Sequence, residues 1–185
     1  MKFEEALKLV GLAEGAYTND PDDTGGETIC GLARNKNPDL KIWKMLDVWK
    51  ERGNTSPQAL DKLARNDTQF MNLVHSTYRG RYWIPAKCDI IPSLLAYPMF
   101  SCAVNCGVSP AIIILQRAAG IKDDGIFGAM TYKACRLADP EQLCERFYEE
   151  WGKYYDYIVQ IRPKDKKYIK GWHNRISDVK KLNHA

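Results

Sequence analysis

The chain has 185 residues, of which 45% are hydrophobic, enough to fill the core of one compact domain or of two small ones. Its net charge of +4 at pH 7 is too small to indicate a nucleic-acid partner by itself, and no stretch has the apolar length of an integral membrane segment. Glu4 and Glu5 follow Lys2 closely, so the N-terminus lacks the apolar region of a signal peptide. We therefore expect synthesis in the cytoplasm, with release by another protein if the chain acts outside.

The first predicted element is an amphipathic helix over about residues 3–14. Phe3, Leu7 and Val10 have the spacing of one helix face. Glu14 follows Val10 by four residues and is predicted to share that face. Burial of a carboxyl group raises its pKa toward the range that a general acid needs. Glu14 is therefore a candidate catalytic acid, and the alternative from the helix alone is a salt-bridged or capping Glu.

A polar loop follows over residues 18–28. Gly25 and Gly26 permit backbone angles that other residues avoid, which predicts a shaped turn or a short hairpin. The acidic residues of the loop are Asp20, Asp22, Asp23 and Glu27. Cleavage of a glycosidic bond uses two carboxyl groups in different environments, and Thr28 adds a hydroxyl that can hold a water. The alternatives are a calcium site, although the loop lacks the spacing of an EF-hand, and an acidic turn that binds nothing.

The remaining elements are predicted to be mostly helical. Helices are expected to begin at Ser56-Pro57, about Thr68, Ser109-Pro110, Asp139-Pro140 and about residue 165. Strand signals are sparse, the best lying near residues 28–32. The sequence thus predicts a mainly helical, all-α protein with a short irregular loop or hairpin after its first helix. A compositional break near residues 88–92 suggests two regions.

The cysteines offer no metal pattern. They are Cys30, Cys88, Cys102, Cys106, Cys135 and Cys144. Without an export signal, reduced thiols are the expected state. Two of them, Cys102 and Cys106, can share a helix face, but no second close pair or nearby His completes a zinc site. We expect no metal and buried, apolar thiols.

The C-terminal part of the chain is basic. From Arg162 onward, eight Lys and Arg residues stand against Asp165 and Asp178. Such a segment favours an anionic partner, for example a cell-wall polymer, a membrane surface or nucleic acid. A solvated helix face that binds nothing is the alternative.

Residues 14–32 carry a specific resemblance. They read EGAYTNDPDDTGGETICGL, which resembles the signature of glycoside hydrolase family 108, the N-acetylmuramidases of phage endolysins and secretion activator proteins. Three other segments resemble further motifs of this family: residues 78–83, 100–107 and 171–175. Residues 115–131 are similar to the peptidoglycan-binding module that follows the hydrolase. The resemblance covers nearly the whole chain.

The resemblance implies a lysozyme-like fold, with a glycoside hydrolase region at 1–90 and a helical peptidoglycan-binding region at 91–185, packed into one globular unit. It also implies cleavage of the bond between N-acetylmuramic acid and N-acetylglucosamine, without a cofactor. Glu14 corresponds to the family's proposed catalytic Glu and would be the general acid. Asp23 and Thr28 would place the water, and Asp20 is the rival for Asp23. The implied partner is the peptidoglycan strand.

Sugar rings pack on flat apolar faces beside hydrogen-bonding groups, which makes Tyr17, Tyr82 and Asn105 candidate substrate-binding residues. We expect Trp43, Trp49 and Trp151 in the core, and also Trp172, for which contact with a sugar is the alternative. Ser101 stands where the family has Asp, so a carboxylate of the family motif is missing. This replacement keeps open the alternative that the chain is a non-catalytic wall-binding protein. A secretion or lysis accessory protein is the other alternative. Action in the periplasm or at the cell wall would require release, for which a holin is the expected route.

Overall fold

The computed structural model describes residues 1–11, 17–20 and 25–183. The helices of these residues are α1 (Phe3–Val10), α2 (Ile42–Glu51), α3 (Pro57–Asn66), α4 (Thr68–Tyr78), α5 (Ser93–Cys106), α6 (Val108–Ala118), α7 (Ala129–Leu137), α8 (Pro140–Ile161) and α9 (Ile169–Asn183). Two short strands, β1 (Thr28–Ile29) and β2 (Leu32–Ala33), pair antiparallel. Shorter helical turns cover Arg34–Lys36, Arg79–Trp83 and Pro163–Tyr168. The predicted all-α class is confirmed.

The chain divides into two compact units. The smaller unit is Leu7–Arg79, and the larger unit combines Met1–Ala6 with Gly80–Ala185. In the smaller unit α4 packs against α2 and α3, and in the larger unit α5, α6, α8 and α9 pack together. The regions 1–90 and 91–185 that the resemblance implies stay a prediction.

The first helix is shorter than predicted. Phe3 and Leu7 are buried as expected, but α1 ends at Val10. Gly11 ends it by taking φ +68, and its N–H donates to the carbonyl of Lys8 over 3.2 Å. The prediction of a helix over 3–14 is therefore wrong at Gly11, and residues 12–14 lie outside the described residues. The predicted place of Glu14 on the apolar face of this helix stays a prediction.

The short hairpin is a confirmed prediction. Its turn consists of Cys30 and Gly31, with φ of +50 and +70, the left-handed conformation that a two-residue hairpin turn requires. Ile29 and Leu32 are buried on either side of the turn. The hydroxyl of Tyr78, at the end of α4, donates to the carbonyl of Cys30 over 2.8 Å. The hairpin is thereby fixed to the helices of the smaller unit.

Helix starts with a local signal are predicted well. Ser56 caps α3 by accepting from the N–H of Ala59 over 3.2 Å, with Pro57 at the first helical position. Asp139 caps α8 in the same way, accepting from the N–H of Gln142 over 2.9 Å. Helix α4 begins at Thr68 as predicted, and the other two starts are displaced. Helix α6 begins at Val108, one residue before the predicted Ser109, and the segment predicted to begin a helix near 165 is a 3-10 turn that precedes α9.

Aromatic residues form the cores. Trp43, Trp49 and Trp151 are buried as predicted, whereas Trp172 is half-buried and stacks on Tyr155 with ring centroids 5.0 Å apart. In the larger unit, three other rings lie edge to face with centroids 5.5 to 5.8 Å apart: Phe3, Trp83 and Phe100. No helix within residues 1–11, 17–20 and 25–183 is long and apolar enough to cross a membrane.

Candidate functional site

The acidic loop is closed at its base by the backbone. Thr18 and Thr28 form an antiparallel bridge, in which each N–H donates to the other's carbonyl over 2.9 and 2.8 Å. Thr28 also pairs with Ala33 in the hairpin. The bridge therefore adds Thr18 as a second backbone partner of Thr28. Two of the predicted catalytic residues, Glu14 and Asp23, lie outside the described residues. Asp23 belongs by sequence to the loop that the bridge closes.

Thr28 is half-buried at this base. Its hydroxyl donates to the carbonyl of Gly26 over 3.2 Å, which occupies the proton and leaves the oxygen lone pairs as acceptors. Asp20, the rival second carboxylate, is exposed. The structure thus brings Thr18 and Thr28 together and puts Asp20 two residues after Thr18 along the chain.

Tyr17 is an anchor of the segment that enters this loop. It is only 7% exposed, and its hydroxyl donates to Oε1 of Glu27 over 2.8 Å. Its backbone N–H donates to Oδ1 of Asp61 over 2.6 Å. Burial raises the pKa of the Tyr17 phenol, and the hydrogen bond and negative charge of Glu27 raise it further. Most of the ring is therefore committed to the protein interior, which leaves little of it for contact with a sugar.

Glu27 is the centre of a charge cluster that sequence reasoning missed. The carboxylate is 8% exposed and pairs with Lys50 and with Nε of Arg34, the latter at 2.9 Å. Arg34 also reaches Oδ1 of Asp47 over 2.6 Å. Burial by itself would lower the pKa of Lys50, but the hydrogen bond and charge of Glu27 outweigh it, and that pKa is raised. Two cations balance the buried carboxylate, which makes its burial tolerable.

The other two sugar-binding candidates belong to the larger unit. Tyr82 is half-buried in the π-helical turn Arg79–Trp83. Asn105 is exposed near the end of α5, where its amide donates to the carbonyl of Ser101 over 2.7 Å. Ser101, which stands in place of the family's Asp, is 3% exposed. A carboxylate at that position would be desolvated, whereas a hydroxyl there carries no charge to bury.

The motif at 115–131 holds a loop together. Gln116 is 2% exposed, and its amide nitrogen donates to Asp124 Oδ1, the carbonyl of Ile126 and Thr131 Oγ1 over 2.9, 3.0 and 3.1 Å. Its amide oxygen accepts from the N–H of Gly125 over 2.9 Å. Gly125 has φ +72, and a Cβ there would lie 2.6 Å from the hydroxyl of Ser109. The conformation of this turn therefore depends on the buried Gln and on a residue without a side chain.

Two known protein families match the chain over the segments that contain these motifs. Residues 7–107 match the family described as Glycosyl hydrolase 108. The chain belongs to that family. Residues 110–177 of this glycosyl hydrolase 108 chain match a second family, described as Predicted Peptidoglycan domain. The chain is thus a glycoside hydrolase with a peptidoglycan-type domain, as the resemblance implied.

The fold has a solved counterpart. The structure of Brucella abortus SagA is similar with a TM-score of 0.67 and 24% sequence identity, over 98% of this chain and 92% of that chain. The all-α, lysozyme-like fold class of this glycosyl hydrolase 108 chain is thereby confirmed. No curated protein sequence matches the chain.

A lysine cluster marks the peptidoglycan-type part of the glycosyl hydrolase 108 chain. It consists of Lys164, Lys166, Lys167 and Lys170. Within the described part of the chain, none of these lysines is in an ion pair, whereas Arg162 pairs with Asp165 at 3.3 Å. Tyr168 stacks on Trp172 with centroids 6.1 Å apart, and Lys167 lies 4.9 Å over the Tyr168 ring. The stacking of Tyr168 on Trp172 therefore stabilises the backbone segment that contains these lysines.

The cysteines of the glycosyl hydrolase 108 chain are all unpaired, and all six lie in the described residues. Five are buried and Cys106 is half-buried. Burial raises the pKa of the Cys30 thiol to about 11 and that of Cys135 to about 11. In the part of the chain that the structure describes, no cluster of three or more His, Cys, Asp or Glu side chains has the geometry to hold a metal ion.

Proposed function

We propose that this glycoside hydrolase is a lysozyme-type N-acetylmuramidase that cleaves peptidoglycan between N-acetylmuramic acid and N-acetylglucosamine. The observation that carries the proposal is the family match over residues 7–107, because this range includes the whole 14–32 motif. The peptidoglycan-type match over residues 110–177 supports the same substrate. Cleavage of a glycosidic bond by two carboxyl groups needs no cofactor.

In the proposed mechanism Glu14 is the general acid and protonates the glycosidic oxygen as the bond to the anomeric carbon breaks. Asp23 acts as the second carboxylate and takes the proton of the water that attacks that carbon. The Thr28 hydroxyl orients this water by accepting a hydrogen bond, since its own proton is given to Gly26. The separation of the two carboxyl groups sets the stereochemistry, with inversion when a water fits between them.

The contacts around Tyr17 and Thr28 support this assignment. Tyr17 follows Glu14 by three residues and is fixed at its backbone by Asp61 and at its hydroxyl by Glu27. Thr28 follows Asp23 by five residues and is fixed by the bridge to Thr18. Small displacements of a catalytic atom lower the reaction rate. Hydrogen bonds that fix the residues next to a catalytic side chain therefore help to hold that side chain in its reactive position.

We further propose that the enzyme meets its substrate in the periplasm or at the cell wall, with release through a holin-type pore. Lysis and the opening of a path for a secreted protein use the same chemistry, so both roles are compatible with the mechanism. Tyr82 and Asn105 are the proposed sugar contacts of the larger unit, since Tyr82 is half-buried and Asn105 exposed.

The test is an analysis of the soluble products released from purified peptidoglycan. Borohydride reduction converts each new reducing end to its alcohol, which identifies the sugar on that side of the cleaved bond. The proposal predicts muramitol, and glucosaminitol or free stem peptides would contradict it. Retained binding without soluble products would instead favour the wall-binding protein that the Ser101 replacement keeps open.

The choice between the two loop carboxylates needs a second comparison. We expect Asp23→Asn to lose most of the activity and Asp20→Asn to keep it. The opposite result would exchange the roles of Asp20 and Asp23 and leave the assignment of Glu14 intact.

A further inference from the structure

An open, shallow cavity lies along one face of α3 in the smaller unit. Its volume is about 360 Å³, and its lining residues are Gln58, Asp61, Lys62, Arg65 and Asn66. Their spacing of three and four residues puts them on one side of the helix. Asp61 is half-buried and the other four are exposed. A cavity of this size is large enough for a small ligand, and the polar ends of its five side chains can fix the orientation of that ligand.

One residue of the lining contacts the segment that follows Glu14 in the sequence. Asp61 accepts the backbone N–H of Tyr17 over 2.6 Å, and Tyr17 follows Glu14 by three residues. Asp61 and Arg65 also lie near the buried Cys30 thiol of the hairpin turn: burial is the main cause of the raised pKa of that thiol, the charge of Asp61 raises it further, and the charge of Arg65 lowers it. The lining of the cavity therefore contacts the backbone of Tyr17 and lies near the hairpin turn.

The charges of the lining favour an anionic ligand. Lys62 and Arg65 contribute two cations, and Gln58 and Asn66 contribute amides that donate to carboxylate or carbonyl oxygens. Asp61 is the single acid of the lining, and one of its oxygens is already used by Tyr17. Within residues 1–11, 17–20 and 25–183, Lys62 is in no ion pair. A carboxylate from outside would give it a partner.

We propose that this cavity binds the carboxylate-bearing peptide stem of a peptidoglycan strand, next to the sugar whose glycosidic bond is cleaved. The inference rests on the proposed function, and it adds a determinant of specificity to it. In intact peptidoglycan the lactyl carboxyl group of N-acetylmuramic acid is bound to the stem as an amide, so the sugar chain is neutral and the stem carries the negative charge. Lys62 and Arg65 would recognise that charge, while the sugar itself binds elsewhere in the site.

The experiment changes the ligand and the protein together. The substrates are soluble, uncrosslinked strands with intact stems, the same strands with their carboxyl groups converted to amides, and strands freed of stems by an amidase. The proteins are the wild type, Lys62→Gln/Arg65→Gln, and the charge-matched control Lys41→Gln/Lys44→Gln. Both control lysines are exposed at α2 of the same unit and do not line the cavity. Circular dichroism and thermal unfolding check that each variant folds.

For the wild type and the control, we expect amidation of the strands to raise KM by about fivefold, as the loss of two exposed charge-assisted contacts implies. For Lys62→Gln/Arg65→Gln we expect nearly equal KM on native and amidated strands, with the effect on KM rather than on kcat. The proposal would be overturned if amidation raised KM as much for Lys62→Gln/Arg65→Gln as for the wild type. It would also be overturned if amidation left the KM of the wild type unchanged.

Strands freed of stems distinguish the two sources of carboxylate. They carry free lactyl carboxylates, so a KM equal to that of stem-bearing strands would overturn the assignment to the stem. The same nine combinations measured by equilibrium binding need no turnover. If no strand is cleaved, the proposed function fails, while the binding series still tests the cavity.

Discussion

The hydroxyl of Tyr17 donates a hydrogen bond to Oε1 of Glu27 over 2.8 Å, in a position where both side chains are buried. This bond joins the segment just after Glu14 to the residue just before strand β1. Glu27 is also paired with Arg34 and Lys50, so the contact is part of a charge cluster that spans the hairpin and α2. The geometry of the proposed active-site loop therefore depends on one buried carboxylate.

Replacing this carboxylate is expected to destabilise the protein. In Glu27→Gln, Lys50 loses its paired carboxylate and Arg34 keeps only Asp47, while both cations are only partly exposed. We expect the free energy of unfolding to fall by about 1–3 kcal/mol, less than for a fully buried pair because water still reaches both cations. Chemical denaturation measures the change, and Glu51→Gln, an exposed Glu at the end of α2, is the control. Equal stability of the two variants would mean that the cluster contributes no net stability.

The same cluster predicts an alkaline limit of stability. The pKa values of Lys50 and Tyr17 are raised above 10.5 and 10.0, so the folded state holds these protons more tightly than the unfolded state. Their contribution is complete below pH 10 and is lost as the pH rises through the raised pKa values. Unfolding curves between about pH 9 and pH 12 should show a decline that is shallower in Glu27→Gln. A decline of equal slope in both proteins would assign it to other groups.

Gln116 is expected to be structural although it belongs to a peptidoglycan-type motif. Gln116→Leu keeps the volume of the side chain but removes every hydrogen bond that ties Asp124, Gly125 and Thr131 together. Buried groups left without partners cost about 1–3 kcal/mol in the free energy of unfolding. Thermal unfolding checks this against the exposed Gln142→Leu. Loss of peptidoglycan binding at unchanged stability would show that Gln116 acts on the ligand instead.

The lysine cluster is expected to make wall binding sensitive to salt. Replacing all four of its lysines by Gln should weaken binding to isolated peptidoglycan at low ionic strength and reduce the salt dependence, since exposed charges are screened within about 10 Å at 0.1 M salt. Sedimentation with peptidoglycan measures the bound fraction. The matched control replaces four exposed lysines elsewhere: Lys8, Lys36, Lys41 and Lys44. An equal loss in both quadruple variants would indicate net charge rather than a local surface.

The features that the sequence predicts well are those with a local physical cause. The Ser56 and Asp139 caps depend on a side chain and an N–H three residues later, and both are recognisable without any tertiary contact. The glycines at 25 and 26 predict a turn region, and the observed hairpin begins two residues later at Thr28.

The features that the sequence does not predict depend on distant partners or on one backbone angle. The pairing of Glu27 with Lys50 joins residues 23 positions apart, and no local pattern indicates it. The end of α1 depends on the positive φ of Gly11, which a pattern of apolar residues does not register. For the candidate site, the family motif identifies Glu14 and Asp23 as residue types in a known order, and the described contacts identify what holds the neighbouring Tyr17 and Thr28.

In the proposed mechanism everything depends on Glu14, which supplies the proton for glycosidic cleavage. Glu14→Gln keeps the shape of the side chain and removes its acidity, so it separates catalysis from binding. The measurement is the rate at which new reducing N-acetylmuramic ends appear when wild type and variant digest the same peptidoglycan, with unfolding curves and wall binding as controls. We expect the rate to fall by at least about 100-fold, with folding and binding retained. A variant that releases these ends at a rate close to that of the wild type would contradict it.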